Sequence, residues 1–148
     1  MKLESQVCSL ELAQKLKELG VEQDSLFCWG EVNFSRSWAD YEWELHHKDL
    51  FPKNWHNKNL VSAYTVAELG EMLPASLECK PKPHKTGKKE IFELSSEKEW
   101  TEGEVNYKVT YTYFYYEPMD YFQLESPTEA DARAKMLIYL LENKLITV

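Results

Sequence analysis

The residues best suited to hold a metal ion fall close together. His46, His47, Asp49 and His56 lie within eleven residues. Imidazole nitrogen and carboxylate oxygen are ordinary zinc ligands. Adjacent histidines on a strand point to opposite faces, so His46 and His47 do not readily share one ion. A loop could gather His47, Asp49 and His56, but nothing in the spacing forces it. The plainer reading is a solvated strand end, and no metal and no cofactor are expected. Cys8, Cys28 and Cys79 are far apart, form no CxxC and have no histidine at ligand spacing. Such an odd set fits reduced, buried thiols. There is no GxSxG and no glycine-rich phosphate loop, and five glycines leave little material for one. Glu42 and Glu44 could pair as general acid and base at the right separation. The strict apolar alternation opposite them marks a solvent-facing polar face instead. No reaction emerges, and the chain is not expected to be an enzyme.

Binding chemistry is better represented. Aromatic residues make up 14% of the chain, and Trp29, Trp43, Trp100, Tyr107, Tyr111, Tyr113, Tyr115 and Tyr121 fall on predicted strands or their ends. Such rings could stack a base or another planar ligand, form a protein interface, or fill the core beneath the helices. The core is the simplest reading. Tyrosine argues against a wholly dry one, because each buried hydroxyl needs a partner. The candidate binding residues are Tyr111, Tyr113, Tyr115 and Trp43. Lys85 and Lys88 join them from KPKPHKTGKK (80–89), a lysine-rich loop that opposes the net charge. Its other reading is a hairpin tip kept soluble by charge.

The net charge of −8 repels phosphate backbones, which excludes general binding of nucleic acid or of an anionic membrane. No run approaches 18 apolar residues and no signal-peptide core is visible, so a cytoplasmic protein is expected. With 148 residues, the chain is expected to form one domain over 1–148.

Local signals set out the elements. Ser9 can cap a first helix with Leu12, Leu16 and Leu19 on one stripe. Gly20 stops it, and Val21 packs back. LFCWGEVNF (26–34) reads as a strand. Residues 35–37 make a hairpin connection to WADYEWELHH (38–47), where Ala39, Tyr41, Trp43 and Leu45 share a face opposite Asp40, Glu42 and Glu44. Residues 48–59 read as a loop. Thr65-Val66-Ala67-Glu68 is a capping box for a second helix that Pro74 ends. Its stripe is Val66, Leu69 and Met72 or Leu73. Strands are expected at 76–79 and 90–95. An acidic turn over 96–104, with Gly103 at its tip, leads to a long strand over 105–116. A short strand over 119–125 precedes a last helix capped by Thr128, and LITV can add an edge strand. These elements predict an α+β fold: a single antiparallel sheet with about three helices packed on one face.

Three segments resemble small uncharacterised proteins encoded by bacteriophages and prophages: SLELAQKLKELGVEQDSLFCW, VSAYTVAELGEMLP and TEADARAKMLIYLLENKLI. The resemblance leaves out 76–126. It implies a genomic setting and a shared fold, but neither a reaction nor a functional residue. The expectation is an accessory protein that binds a host or phage protein, with carboxylates such as Asp40, Glu42 and Glu44 placed where phosphates would sit. The alternatives are a binder of nucleotide-like small molecules and a homo-oligomeric component. A homodimer could pair through 38–45 or LITV.

Overall fold

The computed structural model of the chain describes residues 2–33, 41–50, 59–79, 90–101, 103–113 and 121–147. The expected connection at 35–37 and the lysine loop at 80–89 lie outside them, as does most of 48–59, where Lys48–Leu50 forms a 3-10 turn.

Helix α1 (Leu10–Glu18) buries Ala13 and Leu16. Ser9 precedes it, but its hydroxyl makes no cap. Instead the Ser9 N–H donates to Asp131 Oδ1 at 2.7 Å, from the first turn of the last helix. The far end is a Schellman stop. Gly20 has φ +88°, its N–H reaches the Lys17 carbonyl, and the Val21 N–H reaches the Leu16 carbonyl, both at 3.1 Å. Glycine takes this left-handed conformation without the Cβ penalty.

Strand β1 (Phe27–Asn33) pairs antiparallel with β2 (Tyr41–His47) and, on its other edge, with β3 (Val61–Ser62). Helix α2 (Val66–Met72) follows, held by the expected capping box of Thr65 and Glu68. Strands β4 (Ser76–Cys79), β5 (Glu90–Thr101), β6 (Glu104–Thr112) and β7 (Tyr121–Ser126) then form an antiparallel meander. Helix α3 (Glu129–Glu142) closes the fold, with the Thr128 hydroxyl accepting from the Asp131 N–H at 3.2 Å.

The expected single sheet is therefore corrected to two, ordered β2-β1-β3 and β4-β5-β6-β7. The break falls where β3 gives way to α2, so the later strands start a new ladder. The α+β class stands, but the helices do not share one sheet face. Helix α3 packs on β6 and β7, whereas α1 contacts β3 of the other sheet as well as α3. Helix α3 buries Ala130, Ala132, Ala134, Met136, Leu137 and Leu140, more than a single stripe, because α1, α2 and the larger sheet all lie against it. Its alanines let those neighbours approach closely.

Two further expectations change. The acidic stretch 96–101 is not a turn but the outer half of β5, and only Glu102 and Gly103 connect it to β6. Gly103 closes that turn at φ +89°. In the terminal LITV, the described residues Leu145, Ile146 and Thr147 form no strand. Lys144 takes φ +56°, its N–H reaches the Leu141 carbonyl at 3.0 Å, and the Leu145 N–H reaches the Leu140 carbonyl at 2.9 Å. This second Schellman stop folds Leu145 and Ile146 back onto the core.

Candidate functional site

The tyrosine candidates lie inside. Tyr111 is fully buried, and its hydroxyl donates to the Pro74 carbonyl at 2.5 Å. Burial pushes that phenol up to about 12. Tyr113 is 7% exposed, its ring 5.5 Å from that of Phe92. Both rings belong to the core, and Tyr111 ties the exit of α2 to the sheet. Tyr115, Lys85 and Lys88 lie outside the described residues.

Trp43 is half-buried on the smaller sheet and lines an open hollow of about 490 Å³ with Gln14, Lys17, Glu18, Asn59 and Val61. On the other flank of α1, an open groove of about 570 Å³ has a floor of Leu12, Leu124, Ile138 and Tyr139. Gln14 and Glu18 line both, and Lys15 pairs with Glu142 at 3.0 Å beside the groove. The structure does not bring Trp43 together with Tyr111 and Tyr113, which sit on the other sheet's core face.

The reactive groups are similarly dispersed. His46 and His47 lie on opposite faces of β2. His46 stands 3.4 Å from the Glu44 carboxylate, and His47 Nδ1 accepts the Asp49 N–H at 3.3 Å. Among the described residues, no group of three metal-ligating side chains forms. Cys8 and Cys28 are buried. Burial pushes the Cys8 thiol up to about 12, and raises Cys28 despite the offsetting charge of Lys48. A nucleophilic cysteine needs the opposite shift. Burial alone would raise the Glu68 carboxyl. N–H donors from Thr65 and Leu26, and the Thr65 and Ser25 hydroxyls, hold it below the usual carboxylate range. That carboxylate fastens α2 to the start of β1.

The larger sheet presents a different surface. Its outer face carries Glu78, Glu93, Glu97, Glu99, Glu104 and Glu125, all exposed. Lys108 stands in register between Glu97 and Glu125 and forms an ion pair with Glu99, whose carboxylate raises the lysine's pKa. Strand β5 also outruns its neighbours. β4 pairs only with Glu90–Glu93, and β7 reaches β6 only from Tyr107 onward. What remains is a two-stranded arm, 99–101 paired with 104–106, while 97 and 98 lack only a partner on the β4 side. On its inner face Trp100 is 69% exposed. Lys98 Nζ lies 5.4 Å from the Trp100 ring centre and 5.7 Å from that of Tyr107, within cation–π range.

Sequence reasoning missed this surface. The signal was present in EKEWT (97–101), where Glu97 and Glu99 alternate with Lys98 and Trp100. Acidic composition and the nearby glycine hid it. No helix among the described residues is long and apolar enough to cross a membrane. No family model matches the chain, and neither a curated protein nor a solved structure matches it.

Proposed function

We propose that this chain is a non-enzymatic phage or prophage accessory protein that docks on a basic surface of another protein. The observation that supports this reading is the outer face of the larger sheet, where Glu78, Glu93, Glu97, Glu99, Glu104 and Glu125 face solvent around Lys108. Pleating fixes these carboxylates at regular spacing, as docking against fixed positive charges requires. The carboxylates expected to do this from sequence are fewer among the described residues. Glu42 is exposed, but Glu44 is engaged by His46, and Asp40 lies outside the described residues. The small-molecule alternative drew on the ring faces of Tyr111 and Tyr113, which are inside the core.

The test is capture of a basic protein from bacterial lysate by tagged chain, compared with a Glu97→Lys, Glu99→Lys, Glu125→Lys variant. The wild-type chain retains the partner at low salt and releases it as ionic strength rises. The variant retains at least about tenfold less. Equal capture by both chains, or no specific capture by a folded wild-type chain, sinks the reading.

A further inference from the structure

We propose that the edge of β5 at Ser96–Trp100, which pairs with no strand among the described residues, accepts an extended segment of the partner as an added antiparallel strand, with side chains alternating basic and apolar. This rests on the basic-partner reading above and specifies how that partner is held.

The backbone comes first. The Leu94 N–H donates to the Ala75 carbonyl at 3.0 Å, toward the β4 side. Alternate residues of a strand direct their backbone groups to the same side. Ser96, Lys98 and Trp100 therefore direct their N–H and C=O groups to that side too, past the last β4 partner. Among the described residues, no strand pairs with them. Side chains from 95 to 100 are all exposed, and the Ser96 hydroxyl, at the inner end of this edge, accepts from Arg133 of α3 at 3.4 Å.

Charge then selects the occupant. A second copy pairing antiparallel about a two-fold axis would set carboxylates of Glu97 and Glu99 against one another, and in the central register Lys98 against Lys98. Like charges directly opposite are unfavourable. The edge is thus protected against its own kind, as sheet edges commonly are. A basic strand meets the reverse situation, because lysine or arginine on the outer face falls beside Glu97 and Glu99. On the inner face its alternate residues fall beside Trp100, whose exposed ring favours an apolar contact. Main-chain bonds would supply affinity and the alternating side chains specificity, the usual division in strand addition.

The probe is a peptide of about seven residues, alternating lysine and valine, titrated into the full chain. Trp emission is expected to shift on binding, and to lose that response in Trp100→Phe. The Glu97→Lys, Glu99→Lys variant should raise Kd at least about tenfold. In an antiparallel ladder, residues that exchange bonds share a side-chain face. The valines therefore donate to β5, so N-methylation at valine removes binding and N-methylation at lysine leaves it intact. Equal sensitivity to both methylations, with the glutamate dependence kept, overturns strand addition while leaving charge-based docking standing. Absence of peptide binding, or a concentration-dependent dimer that competes with the peptide, also overturns the assignment. The lysate comparison reports separately on the basic-partner reading.

Discussion

The hairpin of β5 and β6 has two ends with the same alternation and opposite fates. At one end Phe92, Val109 and Tyr111 are buried and Leu94 half-buried, facing the helical layer. At the other, the same face carries Lys98 and Trp100, both exposed, with Val105 and Tyr107 only half-covered. Lengths explain the change. Twelve strand residues extend about 40 Å. The fourteen residues of α3 extend only about 21 Å. The strand outreaches its cover. A period of two therefore assigns residues to faces, while the packed partner decides which stretch of a face becomes core. The covered end holds the fold together, and the uncovered end is free to meet another molecule.

The sharpest way to test that division is alkaline pH, which acts on the covered side. Burial raises the Tyr111 and Tyr64 phenols to about 12. The Tyr64 hydroxyl donates to the Glu22 carbonyl at 2.5 Å and accepts from Gln23 at 2.9 Å. A pKa higher in the folded chain than in the unfolded one contributes stability that is whole below the unfolded value. That stability is lost as pH climbs through the folded value. Each tyrosine therefore gives up about 2 kcal/mol between pH 10 and 12. Cys8, raised from 9.0 to about 12, adds to the loss from pH 9 upward. Urea unfolding at stepped pH should show a steep decline over this window, shallower in Tyr111→Phe. A flat profile between pH 10 and 12 would mean that these groups are open to water.

A core truncation comes next in size. Leu140 is fully buried on α3, in the core between the helices and the larger sheet. Leu140→Ala should cost about 3 kcal/mol, read as a lower urea midpoint with an unchanged slope. A loss under about 1 kcal/mol would mean that the site collapses around the smaller side chain, and that the covered end is looser than its burial implies.

What could be read from the sequence was what neighbours in sequence decide. The capping box is set by Thr65 and Glu68, three residues apart, and the α1 stop by Gly20 and Val21, side by side; both formed as expected. Distant partners left no such trace. Asp131 holds the Ser9 N–H across 122 positions, and Pro74 accepts the Tyr111 hydroxyl across 37. The second bond accounts for a tyrosine where phenylalanine would have sufficed for packing, and the first uses the backbone of Ser9, whose hydroxyl makes no cap. The two-residue strand Val61–Ser62 is too short to show a period, and its pairing belongs to β1 rather than to its own sequence. The division into two sheets was illegible for the same reason, since alternation names faces and not neighbours. The acidic arm differs. Its alternation is in plain view at Glu97, Lys98, Glu99 and Trp100, but the acidic residues and Gly103 around it give the stretch the composition of a turn.

The smallest expected effect lies at the uncovered end. Trp100 is largely exposed, with Lys98 Nζ over its ring and Val105 opposite it in register. An exposed cation–π contact contributes about 0.5–1 kcal/mol at most. Removing the ring also relieves some unfavourable apolar exposure. Trp100→Ala should therefore shift stability by no more than about 0.5 kcal/mol, the range of a surface substitution. The measurement is the same urea titration used for Leu140→Ala, so the two ends of the contrast are compared on one scale. A cost near that of the core truncation would place Trp100 under cover, erase the difference between the ends, and remove the arm as a surface available to a partner. A near-zero cost, with the lysine–valine peptide no longer held, would separate the residue's role in contact from any role in folding.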